Sequence, residues 1–419
     1  MNSAAPATSK WSGEAMQTRL GRRYAAERRF RMFGLAAVAL SVGFLLFLLV
    51  SMATAGLSGF TQTRIALPID FRGSGLSINL EQMTEEEAQS TLAQQGLSAL
   101  ISLSAGAAYG AQGETYLSAA ATRVARDAII ADPSILSRQV TLDLPAASAI
   151  DVAAKGAGDA AAEAAVARLD AAGKLSRGLD TLFLSGADAT DPTLAGIWGA
   201  LKGSLLTMLV TIALAFPIGT LTAIYLEEYA PRNRVTDMIE VSINNLAAVP
   251  SIIFGLLALA LFINMFGLCG GSPLVGGMTL ALMTMPVIVI AARNAIKAVP
   301  PSIRDAALAV GASKVQMVFH HVLPLALPGI LTGAIIGMAR ALGETAPLLL
   351  IGMRAFIGDA PAGLCDRATV LPMQIFLWSD EVDRGFVENT SAAIIVLLVV
   401  LLSMNAIAIA LRNKFERKW

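Results

Sequence analysis

Arg340 and Glu344 stand four residues apart inside Leu325 to Gly352, a stretch that is otherwise free of charge. Arginine at the centre of a membrane-spanning helix costs about 2.5–3.5 kcal/mol on insertion scales. Arg340 lies sixteen residues into this twenty-eight-residue run, and Glu344 at i+4 shares its helix face. Two chemistries fit the pair. One is a buried ion pair that holds helix register. The other is an anion contact on a transport path, in which the planar guanidinium fork meets an oxyanion and Glu344 compensates enough charge for the anion to leave. Arg293, near the end of another apolar run, is a second basic candidate. It reads either as a path residue or as one of the cations that gather on the inner side of spans.

Other reactive groups are few. His320 and His321 are adjacent, so on a helix they point about 100° apart and cannot jointly hold a metal. The chain has no Gly-x-x-x-x-Gly-Lys-[Ser/Thr] phosphate loop, no Ser-His-Asp set and no Cys-His set. We therefore expect no catalytic residue, no metal site and no cofactor bound by this chain. Two cysteines, Cys269 and Cys365, cannot make a disulfide framework; a single bridge and a pair of reduced thiols both remain open.

The elements that must position these groups are membrane spans. Apolar residues make up 55% of the chain and charged residues 15%, well below the roughly 25% of globular proteins. Thirty-one basic and thirty-one acidic residues leave no net charge, which argues against a nucleic-acid binder. About 20 apolar residues cross a bilayer, and six runs qualify: Phe33–Ala53, Leu201–Leu226, Ala248–Leu268, Met278–Ala298, Leu325–Gly352 and Ser391–Leu411. Pro217, Pro250, Pro286 and Pro347 fall in four of them, which requires neighbours that re-satisfy freed carbonyls and hence a bundle. Gly329, Gly333 and Gly337, spaced by four, mark the fifth span as one that approaches a neighbour closely. Pro347 is a candidate hinge beyond the charged pair.

Basic residues set the orientation. Residues 1–32 carry Lys10, Arg19, Arg22, Arg23, Arg28, Arg29 and Arg31 against two acids, and the C-terminal tail from Arg412 is also basic. Both ends are expected in the cytoplasm, together with the loop from Arg293 to Pro324. Residues 54–200, with sixteen acids and nine bases, are expected outside. The first run also resembles a signal peptide ending at Ala53-Thr54-Ala55. Its core from Gly34 to Met52 is nineteen residues against the 7–15 of a cleaved segment, so it is read as a retained helix.

Residues 54–198 form a small α+β insert between spans 1 and 2. Thr61–Phe71 alternates as a strand, with Pro68 making it an edge or irregular one. Thr84 before Glu85-Glu86-Glu87 reads as a helix cap, and Asp159–Lys174 as an alanine-rich helix. A spacer and a docking platform for another extracytoplasmic protein both fit the insert.

The loop 300–324 carries the most specific pattern. Prolines and Ser302 open a short helix, Gly311 stops it, and a second helix runs to Pro324. Ala306, Ala307, Leu308 and Val310 give the first a contact face, and Val315, Val318 and Phe319 give the second one. Asp305-Ala306-Ala307, three residues, Gly311, then Leu323-Pro324 after a fixed interval resembles the coupling-loop signature of bacterial ABC importer permeases. Asp305 stands for the usual Glu, and His321 for a usually aliphatic residue. The run Met338 to Leu349, with Gly343-Glu344-Thr345-Ala346-Pro347, resembles the A-type permease of phosphate importers (PstA). So do Ala223 to Ala230 and Asn244 to Gly255. The likeness covers roughly 195–419.

That resemblance implies the six-helix type I ABC importer permease fold, an all-α polytopic membrane protein, in a bacterial inner membrane. It implies a tail at 1–32, a first helix at 33–53, the insert at 54–198 and a transmembrane core at 199–419. The implied partners are a related C-type permease (PstC type), an ATPase homodimer (PstB type) and a periplasmic phosphate-binding protein (PstS type). ATP and Mg would be used by the ATPase, which would dock on Arg304, Asp305, Ala306, Ala307 and Gly311; on the transport reading of the residues themselves, Arg340, Glu344 and Arg293 are the candidates for the substrate path. A permease for sulfate or molybdate is the nearer alternative. An ion-coupled secondary transporter is expected to show inverted repeats, which this sequence lacks, and a membrane sensor would need an output domain.

Overall fold

The computed structural model describes residues 14–78, 84–354 and 356–415. Lys10 and the basic residues after Phe415 therefore lie outside the described residues. Two compact units are distinguished, 1–54 and 55–419, and each is treated by itself. The first holds most of α1 (Glu14–Gly56), a helix far longer than the expected 33–53 because its arginine-rich flank continues the same helix.

In the second unit, the insert is built on a three-stranded antiparallel sheet in the order β2-β1-β3, with β1 Thr61–Asp70, β2 Gln139–Pro145 and β3 Leu175–Leu179. Pro68 does not mark an edge strand, since β1 is central. The reason is local. The Ala66 N–H points at Lys174 on the β3 side, and two residues on, Pro68 faces the same side beyond the end of β3. No partner is there to miss its N–H. Helices α2 (Glu85–Gln94), α3 (Leu97–Tyr109) and α4 (Ala120–Ala131) pack Leu92, Leu97, Ile101 and Ile129 on Leu67, Ile69 and Leu144. Thr84 and Glu87 close the reciprocal cap expected at α2. The short α5 (Ser148–Ala154), α6 (Ala160–Ala171, capped by Asp159) and α7 (Thr181–Ser185) complete the insert. An aromatic ladder of Phe60, Phe183, Trp378 and Phe386 joins it to the bundle.

The bundle begins with α8 (Trp198–Ile224), which widens into a π-helical turn at Tyr225–Tyr229. Next comes a departure from expectation. The third apolar run, expected over Ala248–Leu268, is α10 (Ser251–Ala258, continued by a π-helical stretch to Met265), and it is preceded by a further helix, α9 (Arg234–Ala247), from which it is bent by 101°. Val249 precedes Pro250 and is pushed out of helical geometry, which ends α9; hydropathy alone missed α9 because its apolar residues are interleaved with charges. Then follow α11 (Pro273–Lys297), α12 (Pro301–Ala309), α13 (Lys314–Gln316), α14 (Leu323–Leu342), α15 (Ala346–Leu350), α16 (Leu371–Ser379) and α17 (Gly385–Phe415).

Residues Lys314–Leu342 form one continuous span, so the helix after Gly311 does not end at Pro324. A widened turn at Met317–Val322 absorbs the proline, which has no N–H to offer the ordinary ladder. The fifth span is also shorter than Leu325–Gly352 at its far end. It stops at Leu342, and Pro347 opens α15 rather than bending a continuous rod. Among the described residues, five helices are long and apolar enough to cross a membrane, and the bent pair α9–α10 makes a sixth.

Helix directions follow from close contacts. Val210 meets Gly277 and Ile288 meets Gly219, so α8 and α11 run the same way. Ala295 meets Gly329 and Ala291 meets Gly333, so α14 runs opposite. A Cβ on Gly329 would sit 2.7 Å from that of Ala295. The glycine row is thus a seam against α11 at Gly329 and Gly333, whereas Gly337 has ordinary room.

Candidate functional site

At the α12 end of the bundle, the widened turn of α8 presents Glu227 and Glu228 on neighbouring residues. Adjacent residues of a helix diverge by about 100°, so the two acids serve different helices. Glu227 meets Arg293 of α11 at 2.5 Å and Lys297 at 3.4 Å. Glu240 of α9 takes the other side of Arg293 at 2.7 Å. The Arg293 side chain is only 10% exposed, with carboxylates on both sides. It is held in an ion network, so the structure does not present it as a bare cation on a path.

Glu228, 7% exposed, accepts from Arg304 of α12, Nη2 at 2.8 Å and Nε at 3.0 Å. The same guanidinium donates to the carbonyls of Ile296 at 2.9 Å and Val299 at 2.6 Å. Ile296 is in the last turn of α11 and also accepts the Val299 N–H at 3.2 Å, while Val299 lies just past the helix, where the regular ladder has ended. Arg304, expected to face the ATPase, therefore faces the bundle. Lys314 lies over the Tyr229 ring at 5.1 Å, tying the start of the long span to the same turn.

The rest of the expected loop sorts by face. Ala307 is buried against Ala223, Ile224, Leu226 and Met317. Asp305 and Ala306 are exposed, as are Leu308, Val310, Val315 and Phe319. Val318, expected on the contact face, is buried. Gly311 adopts φ +88° and closes α12: its N–H donates to Leu308, and that of Ala312 to Ala307. His320 and His321 are both exposed. Among the described residues no cluster of three or more His, Cys, Asp or Glu is placed to hold a metal.

Arg340 occupies the last turn of α14, on the insert side of the bundle. Its Nε stands 3.6 Å from Glu344, and its side chain is 46% exposed. The expected position midway along an unbroken rod is corrected to the broken end of one. Yet the break is still inside the bundle, because Ala341 and Leu342 share a small cavity with Leu280 of α11 and Thr207 of α8. Non-helical backbone at such depth is tolerated where it is buried in protein or lines a cavity. Arg293 and Arg340 are not brought together. Arg293 lies between Ala291 and Ala295, which face Gly333 and Gly329, and Arg340 is at least seven residues beyond Gly333, roughly 10 Å along the axis.

Cys269 and Cys365 are bonded, with Cα atoms 5.5 Å apart. The bond joins the turn before α11 to the loop before α16. Backbone pairs beside it, Gly271 N–H to Ile351 and Ala368 N–H to Gly271, hold the same two segments together.

Sequence reasoning passed over Glu227, Glu228 and Glu240 as site residues. A signal was present: two acids closing an apolar span are costly unless a cation waits nearby, and four bases follow in 293–314.

Residues 195–419 match the family described as the binding-protein-dependent transport system inner membrane component. The chain belongs to that family. It is accordingly a multi-pass inner-membrane permease subunit of a binding-protein-dependent transport system. Residues 17–164 of this permease match a domain of unknown function, DUF3333. A probable ABC transporter permease protein, YqgI of Bacillus subtilis, is 30% identical over 226 residues, covering 50% of this permease and 76% of that protein. Phosphate transport system permease protein PstA 1 of Mycobacterium tuberculosis is 32% identical over 231 residues, covering 53% and 72%. PstA of Yersinia pestis is 33% identical over 158 residues, covering 38% and 53%. Among solved structures, a chain of the inward-facing MetNI methionine ABC transporter aligns at 20% identity and a TM-score of 0.40, over 53% of this permease and 98% of that chain.

Proposed function

We propose that this permease is the A-type subunit of an ATP-driven importer of inorganic phosphate. The observation that carries the reading is the two-faced α12. Its inner face is pinned by Arg304 and Ala307, while Asp305, Leu308 and Val310 are left exposed beside Val315 and Phe319. Such a face suits a cleft on a separate ATPase subunit. Phosphate is supported by the printed names of the mycobacterial and Yersinia relatives. It is supported too by Arg340, a half-exposed guanidinium only loosely met by Glu344 at the broken span.

In this reading the coupling-loop end lies in the cytoplasm with both chain termini, and the insert lies outside. The Cys269–Cys365 bond supports that orientation, since such bonds persist in oxidising compartments. A second permease of the C type supplies the facing wall, an ATPase homodimer of the B type uses ATP and Mg, and a periplasmic receptor delivers phosphate. This chain contributes the path and the lever and no catalytic group. Closure of the ATPase pair moves α12, and the bundle alternates between inward- and outward-open states.

The test is uptake of labelled phosphate by the purified complex in proteoliposomes, with sulfate and molybdate as competitors. ATP-dependent uptake that excess sulfate leaves intact is expected, and Arg340→Gln abolishes it while the complex still assembles. Near-normal uptake by that variant removes Arg340 from the path. Equal competition by sulfate reassigns the substrate to another oxyanion, and uphill uptake by this chain alone overturns the ATP-driven reading.

A further inference from the structure

Resting on that reading, we infer that Arg304 and Glu228 are positioning residues that form a strut, making the coupling helix α12 and the ends of α8 and α11 move as one block. A single guanidinium bonds to three segments at once: it is rooted in α12, it grips Glu228 at the end of α8, and it caps Ile296 and Val299 at the end of α11. A push on the exposed face of α12 therefore reaches both helices without passing through a flexible loop.

The neighbouring ions extend the block. Glu227 clamps Arg293 in α11, and Glu240 fastens α9 to the same guanidinium. The far end of α9 is the 101° bend into α10. Along α11, Ala295 and Ala291 are seated against Gly329 and Gly333 of α14. With no side chain between them, little play separates α11 from the helix that ends at Arg340. The strut thus stands between the surface where force arrives and both discontinuities of the bundle, Ala248–Pro250 and Gly343–Thr345.

Burial makes the strut stiff. Glu228 is almost wholly enclosed, and water offers no easy substitute for the arginine. Lysine at 304 keeps the charge but cannot reach a carboxylate and two carbonyls with one planar group.

The experiment compares Glu228→Gln, Arg304→Gln and Arg304→Lys in the full complex in proteoliposomes, measuring phosphate transported and ATP hydrolysed in the same vesicles. The two glutamine variants are expected to co-purify with the ATPase, to hydrolyse ATP at near wild-type rates, and to transport roughly tenfold less phosphate per ATP, in the range of ordinary coupling energies. Arg304→Lys falls between. The reversed pair Glu228→Arg with Arg304→Glu recovers part of the ratio, and it serves as the second test should either single variant fail to assemble. A ratio within twofold of wild type in the glutamine variants overturns the strut, as does a fall in hydrolysis proportional to the fall in transport, which would mark a docking defect. A wild-type complex that holds no ATPase, or hydrolyses ATP without moving phosphate, refutes the transporter reading itself.

Discussion

Among the described residues, an ionic cluster at each end of the bundle ties separate elements together, and the two are built from different chemistry. At the α12 end, Glu227, Glu228 and Glu240 face Arg293, Arg304 and Lys297, acid for base. Arg293 spans two carboxylates, and Arg304 uses its planar donors on a carboxylate and two backbone carbonyls together. At the insert end, Lys155 is 6% exposed and serves both Asp151 at 2.7 Å and Glu388 at 2.6 Å. The buried Asp180 lines the same small cavity, so acids outnumber the lysine. Asp151 also accepts the N–H of Thr63 at 2.7 Å, and Asp180 accepts that of Phe183 at 2.9 Å. The first cluster matches acids to bases one for one, whereas the second gathers three carboxylates around one lysine and includes Asp180, whose carboxyl burial holds above its ordinary range. The first suits a joint that must transmit force; the second suits an attachment whose tightness varies with pH.

The largest effect expected is from Arg293→Met. It leaves the largely enclosed Glu227 with only the exposed Lys297 at 3.4 Å, and removal of one partner from a buried pair costs about 3–5 kcal/mol. Thermal unfolding of the purified chain should show the loss equally at pH 7 and pH 6. A loss confined to one of those pH values would break the contrast.

Lys155→Met is expected to come next. At pH 7 it leaves Asp151, Asp180 and Glu388 with no lysine between them, a cost of about 3 kcal/mol. Part of this should return at pH 5, because burial raises the Asp180 carboxyl and it takes up its proton earlier than an ordinary carboxylate as pH falls. The measurement is the same melting curve at the two pH values, and an unchanged defect at pH 5 counts against the difference drawn here.

Asp180→Asn is the mildest. Burial holds the Asp180 carboxyl above its ordinary range, chiefly by desolvation. The folded chain therefore takes up this proton before the unfolded chain does as pH falls. Its contribution to stability rises as pH drops from neutral toward the ordinary carboxylate range, and is lost as pH rises through the folded value. Asparagine keeps the cap on Phe183 without the charge. It should raise the melting midpoint at pH 7 by about 2 °C and flatten the pH dependence between 5 and 7. A fall at pH 7 would mean that the negative charge itself is needed there.

Much of the fold was legible from spacing alone. Apolar length located five straight spans because transfer free energy sums over a segment, and the Thr84–Glu87 cap and the glycine seam are local patterns with local causes. The direction in which Arg304 points was not legible, because a loop signature says which residues gather but not which face meets the bundle. The partners of Arg293 depend on α9, whose charges hid it from a hydropathy reading. Arg340 was placed too deep along its own helix for a similar reason: apolar residues continue past Leu342, and nothing in their hydropathy reports that the backbone has stopped being helical at Gly343-Glu344-Thr345.

The widened turn at Tyr225–Tyr229 amounts to one residue spliced into an otherwise regular coil. Excising it would restore ordinary winding and swing whatever follows through about 100°. Glu227 and Glu228 would each be handed to the wrong neighbour although neither is itself altered. At this point the count of residues, more than their identity, decides which helix each carboxylate answers to.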